Sequence, residues 1–451
     1  MERFVEGVNN NRYNKNGLDI GLFIHKILLF MFFMTFTFIP TSYSAIRFGL
    51  LMSLFILSFA LKRGKIKFDK NAGIILLIYV GYSILSAMLG IFNNGSIAGL
   101  KTNFLYPLLF FVMFLNILSI VSLNTISKIL VACSFVVCLA DLWVVLYGLR
   151  LIPISPNILY SIDLDYIFNG EIGLYYQYTS THMVSHFFLA PFITVLVYIN
   201  FKEKKNSFRL IILMVMEILC IYFSGRAALI LSYSILFILI ILYGNRERIS
   251  TFFKEQFNSS HLIRNIILSI IFFIIVIVLI NSKKINIEGI INYVFKKLQG
   301  ISSSGGVIVD TRASQMREYL SGWLESPLIG HGMGTGVPYI RDGVWVDDKA
   351  IELTYVSTIY QSGLIGFLLL FFIILYTIKR IVRKIKNGLL NSKEGFPYIL
   401  GLFGILIGAA ADPYLFTMGC IWMLYLPFSI AATDEVEIAE IKFFGGLKNE
   451  R

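Results

Sequence analysis

The sequence is short of charge. Only 15% of its 451 residues are Asp, Glu, Lys or Arg, against roughly 25% in soluble domains, which excludes a water-soluble fold. Cysteine is equally sparse. Cys133, Cys138, Cys220 and Cys420 all fall inside apolar runs, so no disulfide framework is indicated and the redox compartment is not legible. No helical-repeat period and no heptad recurs, which argues against solenoids and coiled coils. The first apolar run lacks a small-residue cleavage pattern: about twenty mainly polar residues precede it, and it ends in Ile39-Pro40-Thr41. It is therefore expected to be a retained span rather than a signal peptide. The net charge of +12 needs only basic residues near anionic lipid headgroups, and no nucleic-acid partner is implied.

What is abundant is apolar sequence. The chain is 57% hydrophobic with a mean hydropathy of +0.75. Apolar runs lie at 22–40, 44–61, 72–92, 104–121, 126–148, 182–201, 210–223, 227–243, 266–280, 353–378, 398–411 and 414–431. A hydrocarbon core of roughly 30 Å asks for about twenty residues per helix, so the runs make about twelve transmembrane helices, or eleven if the shortest fail. An all-α multipass membrane protein is predicted. Basic loops supply the orientation: Lys62, Arg63, Lys65, Lys67 and Lys70; Lys202, Lys204, Lys205 and Arg209; Arg246, Arg248 and Lys254; Lys379, Arg380, Arg383, Lys384 and Lys386. With twelve spans all of these fall on the side of both termini, which the positive-inside rule makes cytoplasmic.

One polar insert, residues 281–350, interrupts the spans between the ninth and tenth and is expected outside. It divides the chain into an N-terminal bundle (1–280), the outer loop (281–350), C-terminal spans (351–431) and a cytoplasmic tail (432–451). The insert is too small for a core independent of the bundle. Basic residues also occur where the positive-inside rule disfavours them: Arg47, Lys101, Arg226, Arg312, Arg317 and Arg341. Arg226 is the most informative. It sits in the tight turn Phe223-Ser224-Gly225-Arg226, beside the positive end of the next helix, where a bound anion would offset the charge. Arginine's planar donor fork suits phosphate oxygens, so several outward cations point to a lipid-linked phosphate or pyrophosphate.

The insert reads Arg312-Ala313-Ser314-Gln315-Met316-Arg317, then Pro327-Leu328-Ile329-Gly330-His331-Gly332, then Glu352 and Gly363-Leu364-Ile365-Gly366. This order, with Arg226 upstream, resembles the O-antigen ligase and polymerase superfamily of bacterial envelope glycosyltransferases, over roughly residues 181–378. The resemblance implies a GT-C-like fold in the bacterial inner membrane, a periplasmic active site, no cofactor and no metal. It implies a polyprenyl-pyrophosphate-linked oligosaccharide as substrate, membrane lipid as surroundings and a chain-length regulator as partner. Ligases of this family carry a His-Asn pair eleven residues before the glycine of Gly-Leu-x-Gly. Here that position is Glu352 followed by Leu353, which favours the polymerase branch. Glu352 becomes the expected base for a sugar hydroxyl, with Arg226 and Arg312 holding the departing pyrophosphate. Arg317, Arg47 and Lys101 are expected to enlarge the positive field, His182 to contact sugar, and Tyr355 to stack on it.

His182 and His186 share a helix face, but no third metal ligand is evident from their spacing. Asp141 and Glu217 fall within spans, where ionisable groups are costly and often functional. Neither belongs to the family pattern, and internal pairing is expected for both.

Overall fold

The computed structural model describes residues 2–40, 43–62, 68–96, 101–148, 151–156, 159, 166–169, 177–180, 183–203, 207–224, 226–244, 311–341, 343–347, 352–411 and 413–433; for 2–19, 62, 101–102, 166–169, 177–180, 227 and 242–244 it describes backbone alone. It is a bundle of helices, apolar except for α9: α1 (Glu2–Phe38), α2 (Ser44–Lys62), α3 (Lys70–Phe92), α4 (Tyr106–Leu118), α5 (Leu123–Gly148), α6 (Met183–Lys202), α7 (Phe208–Phe223), α8 (Ala227–Gly244), α9 (Thr311–Trp323), α10 (Thr354–Lys386), α11 (Ser392–Gly408) and α12 (Trp422–Ala432). Six carry stretches long and apolar enough to cross a membrane: Ile20–Phe38, Ser44–Leu61, Lys70–Phe92, Leu123–Gly148, Met183–Lys202 and Thr354–Lys386. The chain is a membrane-embedded, mainly α-helical protein. Each apolar run of the sequence overlaps a described helix, except 266–280, which lies outside the described residues; in the last run, 414–431, turns occupy 414–421 and the helix starts only at Trp422.

The core is aromatic. Phe32, Phe36, Phe110 and Phe114 interlock along α1 and α4, and Trp422 is edge-on to Phe33 and packs on Phe188. Small residues let helices approach: at Gly404 an added Cβ would sit 1.8 Å from the Phe187 carbonyl oxygen, so α11 lies close against α6.

Contacts sort by the two ends of the bundle. At one end, Asp69 accepts from Tyr376 (2.9 Å) and pairs with Arg380 (3.1 Å), while the Lys384 ammonium donates to the carbonyls of Ile430 and Thr433. Burial pushes the Asp69 carboxyl up, but the Asn71 N–H, the Tyr376 hydroxyl and Arg380 outweigh it and hold it below its usual range. Lys393 and Glu203 join α11 to α6 at this same end. At the opposite end lie the contacts of Arg47 with Pro40, of Ser96 with Gly334, of Tyr355 with Leu406 and of Arg226 with Tyr414. Motif residues therefore share one end, and the basic residues Arg380, Lys384 and Lys393 share the other.

Among the described residues, two small antiparallel strand pairs depart from a purely helical chain. β3 (Tyr339–Arg341) pairs antiparallel with β4 (Val344–Val346), and β1 (Tyr166–Asn169) with β2 (Gln177–Ser180). The second lies between α5 and α6, so the late insert is not alone in holding local structure outside the helices. Its residues include Tyr166, Phe168, Tyr178 and Thr179, β-favouring types that apolar-run counting does not register. The late insert does lean on the bundle. Its core of Tyr319 and Tyr339 is closed by Tyr360, Val356 and Leu353 from the start of α10.

Candidate functional site

The motif residues are joined through a break in α10. Gly363 has φ 62° and ψ −173°, a backbone conformation open to glycine, and it divides α10 into a short first segment and a long second one. Breaking a helix frees donors and acceptors that an apolar setting cannot solvate, so they need protein partners. The loop from Pro327 to Met333 supplies them. Leu364 N–H donates to the Pro327 carbonyl (2.9 Å) and Ile365 N–H to that of Leu328 (3.1 Å). In return His331 N–H donates to Tyr360 O (3.0 Å) and Gly332 N–H to Gln361 O (2.8 Å). Tyr82 and Ser86 of α3 donate to the Ser362 and Gln361 carbonyls. Space is as tight as the bonding: at Gly332 (φ +97°) an added Cβ would lie 2.0 Å from Gly90 N. The Pro-x-x-Gly-x-Gly and Gly-Leu-x-Gly elements thus form one backbone-bonded knot clamped by α3.

Immediately before the knot stands an ion pair. Arg312 opens α9, and its Nε donates to Glu352 Oε2 at 2.6 Å, both side chains being part-exposed (45% and 37%). Gln315, buried one turn along α9, accepts the Glu352 N–H at 3.3 Å. Glu352 does not cap α10: the N-cap is Leu353, with no side-chain hydrogen bond. An accessible carboxylate is therefore held against an arginine by two residues of one helix. Such a pair is able to accept a proton or to exchange its partner for another anion.

Arg226 is half-buried, its turn tied down by its own N–H to Ser224 Oγ (3.2 Å) and by Ser224 Oγ to the Ile221 carbonyl (2.6 Å). Its Nη1 donates to the Tyr414 hydroxyl at 2.5 Å. Tyr355 donates from its hydroxyl to the Leu406 carbonyl, so the start of α10 rests on the last turn of α11 and the Arg226 turn on the segment that follows it. His331, in the knot, bonds to the Gly322 carbonyl (2.8 Å) and stacks on Tyr360 at 4.6 Å.

Other expected site residues are placed differently. Arg47 is 3% exposed, donates to the Pro40 carbonyl, and lies 5.9 Å over the Phe36 ring. It braces α1 and α2 against the loop at Gly419 rather than facing outward. Arg317 is exposed (65%) and pairs with its neighbour Glu318 at 2.8 Å; five residues from Arg312, it takes another face of α9. Tyr355 spends its hydroxyl on α11 and sets its ring edge-on to Phe367. Lys101 opens a π-helical turn, Lys101–Leu105, and its side chain lies outside the described residues, as does His182.

A cluster the motif pattern does not contain lies deeper. His186 of α6 meets Glu217 of α7 (Nδ1 to Oε2, 2.5 Å) and Asp141 of α5 (Nε2 to Oδ2, 2.6 Å), all three fully buried. Ser134 donates to the other Glu217 oxygen at 2.6 Å. Asp141 and Glu217 are internally paired, as expected, but the histidine between them was not legible from spacing. Sulfur, nitrogen and oxygen donors of Cys138, His186 and Glu217, and of Asp141, His186 and Cys220, lie within 4.8 Å of one another. With both ring nitrogens bonded to carboxylates, however, His186 offers no lone pair to an ion in this form.

Fold and site define a membrane-embedded helical protein with an arginine–carboxylate pair at one end. Compared with family models and with curated proteins, the chain matches none.

Proposed function

We propose that the chain is a metal-independent glycosyltransferase of the O-antigen ligase and polymerase superfamily, acting as an O-antigen or capsule polysaccharide polymerase. In this reading twelve spans form a GT-C-like bundle in the bacterial inner membrane, both termini are cytoplasmic, and the Arg312–Glu352 end faces the periplasm. The observation that carries it is the 2.6 Å Arg312–Glu352 pair set beside the bonded knot of the two glycine motifs. A polyprenyl-pyrophosphate-linked glycan would bring an anion that competes with Glu352 for Arg312. Exchange of partners would deliver the pyrophosphate to the guanidinium and release the carboxylate to take the acceptor hydroxyl's proton. Arg226 would hold the second phosphate, and preorganised cations would stabilise the leaving charge. Arg47 and Arg317 are left out of the binding set, the first because it is buried as a brace, the second because it faces elsewhere on α9.

The test is Glu352→Gln, which keeps the shape and most hydrogen bonding but abolishes the base. Glycan polymerisation should fall by roughly a hundredfold or more, leaving single repeat units on lipid A core because a separate ligase remains active. A core bare of repeat units would instead identify a ligase or a lipid-linked sugar flippase. A full glycan ladder would make Glu352 structural.

A further inference from the structure

We propose that Asp141, His186 and Glu217 form a proton-binding site inside the bundle, whose occupancy sets how α5, α6 and α7 pack beneath Arg226. A proton count from geometry carries this. A neutral imidazole has one N–H and one lone pair, yet His186 has a carboxylate oxygen at 2.5 Å from Nδ1 and another at 2.6 Å from Nε2. Each contact needs a proton between its heavy atoms, for two facing lone pairs repel at that distance. The cluster thus binds one proton beyond a neutral histidine and two ionised carboxylates, either on the ring or on a carboxyl.

Its surroundings fit a retained proton. All three side chains are 0% exposed. Titratable groups facing them among the described residues include Cys138 on α5, Cys220 on α7 and Tyr233 on α8, whose hydroxyl is engaged with Thr194 at 2.9 Å. Ser134 donates to the other Glu217 oxygen, so both oxygens of that carboxyl are engaged. Loss of the proton would set a bare nitrogen against a bare carboxylate oxygen and drive two of the three helices apart. The cluster is well placed for that to matter: Phe187, next to His186, packs on the Tyr414 ring that holds Arg226. Glu217 itself lies seven residues before Ser224, roughly 10 Å along α7.

The experiment uses the full chain in lipid bilayers and needs no assumption about its activity. Solid-state ¹⁵N spectra of histidine-labelled protein, infrared spectra in the carboxylic-acid region and metal analysis are recorded on one preparation. At neutral pH, His186 should carry protons on both nitrogens, a signal absent from His186→Gln, or a buried carboxylic-acid band should appear that Asp141→Asn or Glu217→Gln shifts or removes. A ring with one proton and no acid band overturns the proposal, in the wild type alone, even if the variant fails to fold. Stoichiometric zinc that is lost in Cys138→Ser and Cys220→Ser overturns it too, making the cluster a metal site.

Discussion

At the residue scale, the site depends on which partner each arginine holds. Arg226 donates to the hydroxyl of Tyr414, a residue that stands at the start of the last apolar run of the sequence. Arg226→Ala should cost on the order of 2–4 kcal/mol in the transition state, seen as loss of polymer in a glycan ladder, whereas Arg226→Lys should retain a fraction because it keeps charge without the fork. Tyr414→Phe removes the hydroxyl that orients the guanidinium and should give an intermediate ladder. Full ladders from both Arg226→Ala and Arg312→Ala would remove these arginines from the mechanism.

At the scale of elements, the broken helix α10 is the organising feature. An unbroken α10 would carry no free donors at 364 and 365 and no free carbonyls at 360–362 for the glycine-rich loop to meet, and the loop would have no seat beside α3. Gly363→Ala places a Cβ 2.2 Å from the Leu328 carbonyl oxygen, in a positive-φ, extended-ψ conformation essentially restricted to glycine that alone costs about 1–3 kcal/mol. The expected outcome is a loss of several kcal/mol, read as a lowered unfolding temperature in detergent. Polymer should be lost even with Glu352 and both arginines intact. Unchanged melting would show that the break is not needed for the packing.

For the whole molecule, the contacts divide the bundle into two ends with different chemistry, one of bonded glycine backbone and arginines, the other of Asp69, Arg380 and Lys384. In the proposed orientation, which follows from the positive-inside rule, the second end is cytoplasmic and residue 303 of the late insert should be outside. A cysteine introduced at Ser303 should react with an impermeant reagent added to intact spheroplasts. The four native cysteines are buried and give little background. Labelling only after the inner face is opened would invert the site and end the periplasmic reading.

The sequence by itself determined the class and the positions of the helices, because a bilayer demands long apolar runs and composition records them directly. It also singled out Arg226 and Arg312 as cations on the disfavoured side, while Glu352 and the glycine motifs came from the family resemblance. Tertiary structure alone decided which of them meet. Arg47 carries the same wrong-side signature as Arg226, yet its surroundings make it a brace, because burial depends on neighbours far along the chain. The same holds for His186, whose two carboxylates come from other helices 45 and 31 residues away. Spacing within one helix reports a shared face, but a contact between helices exists only once they are packed.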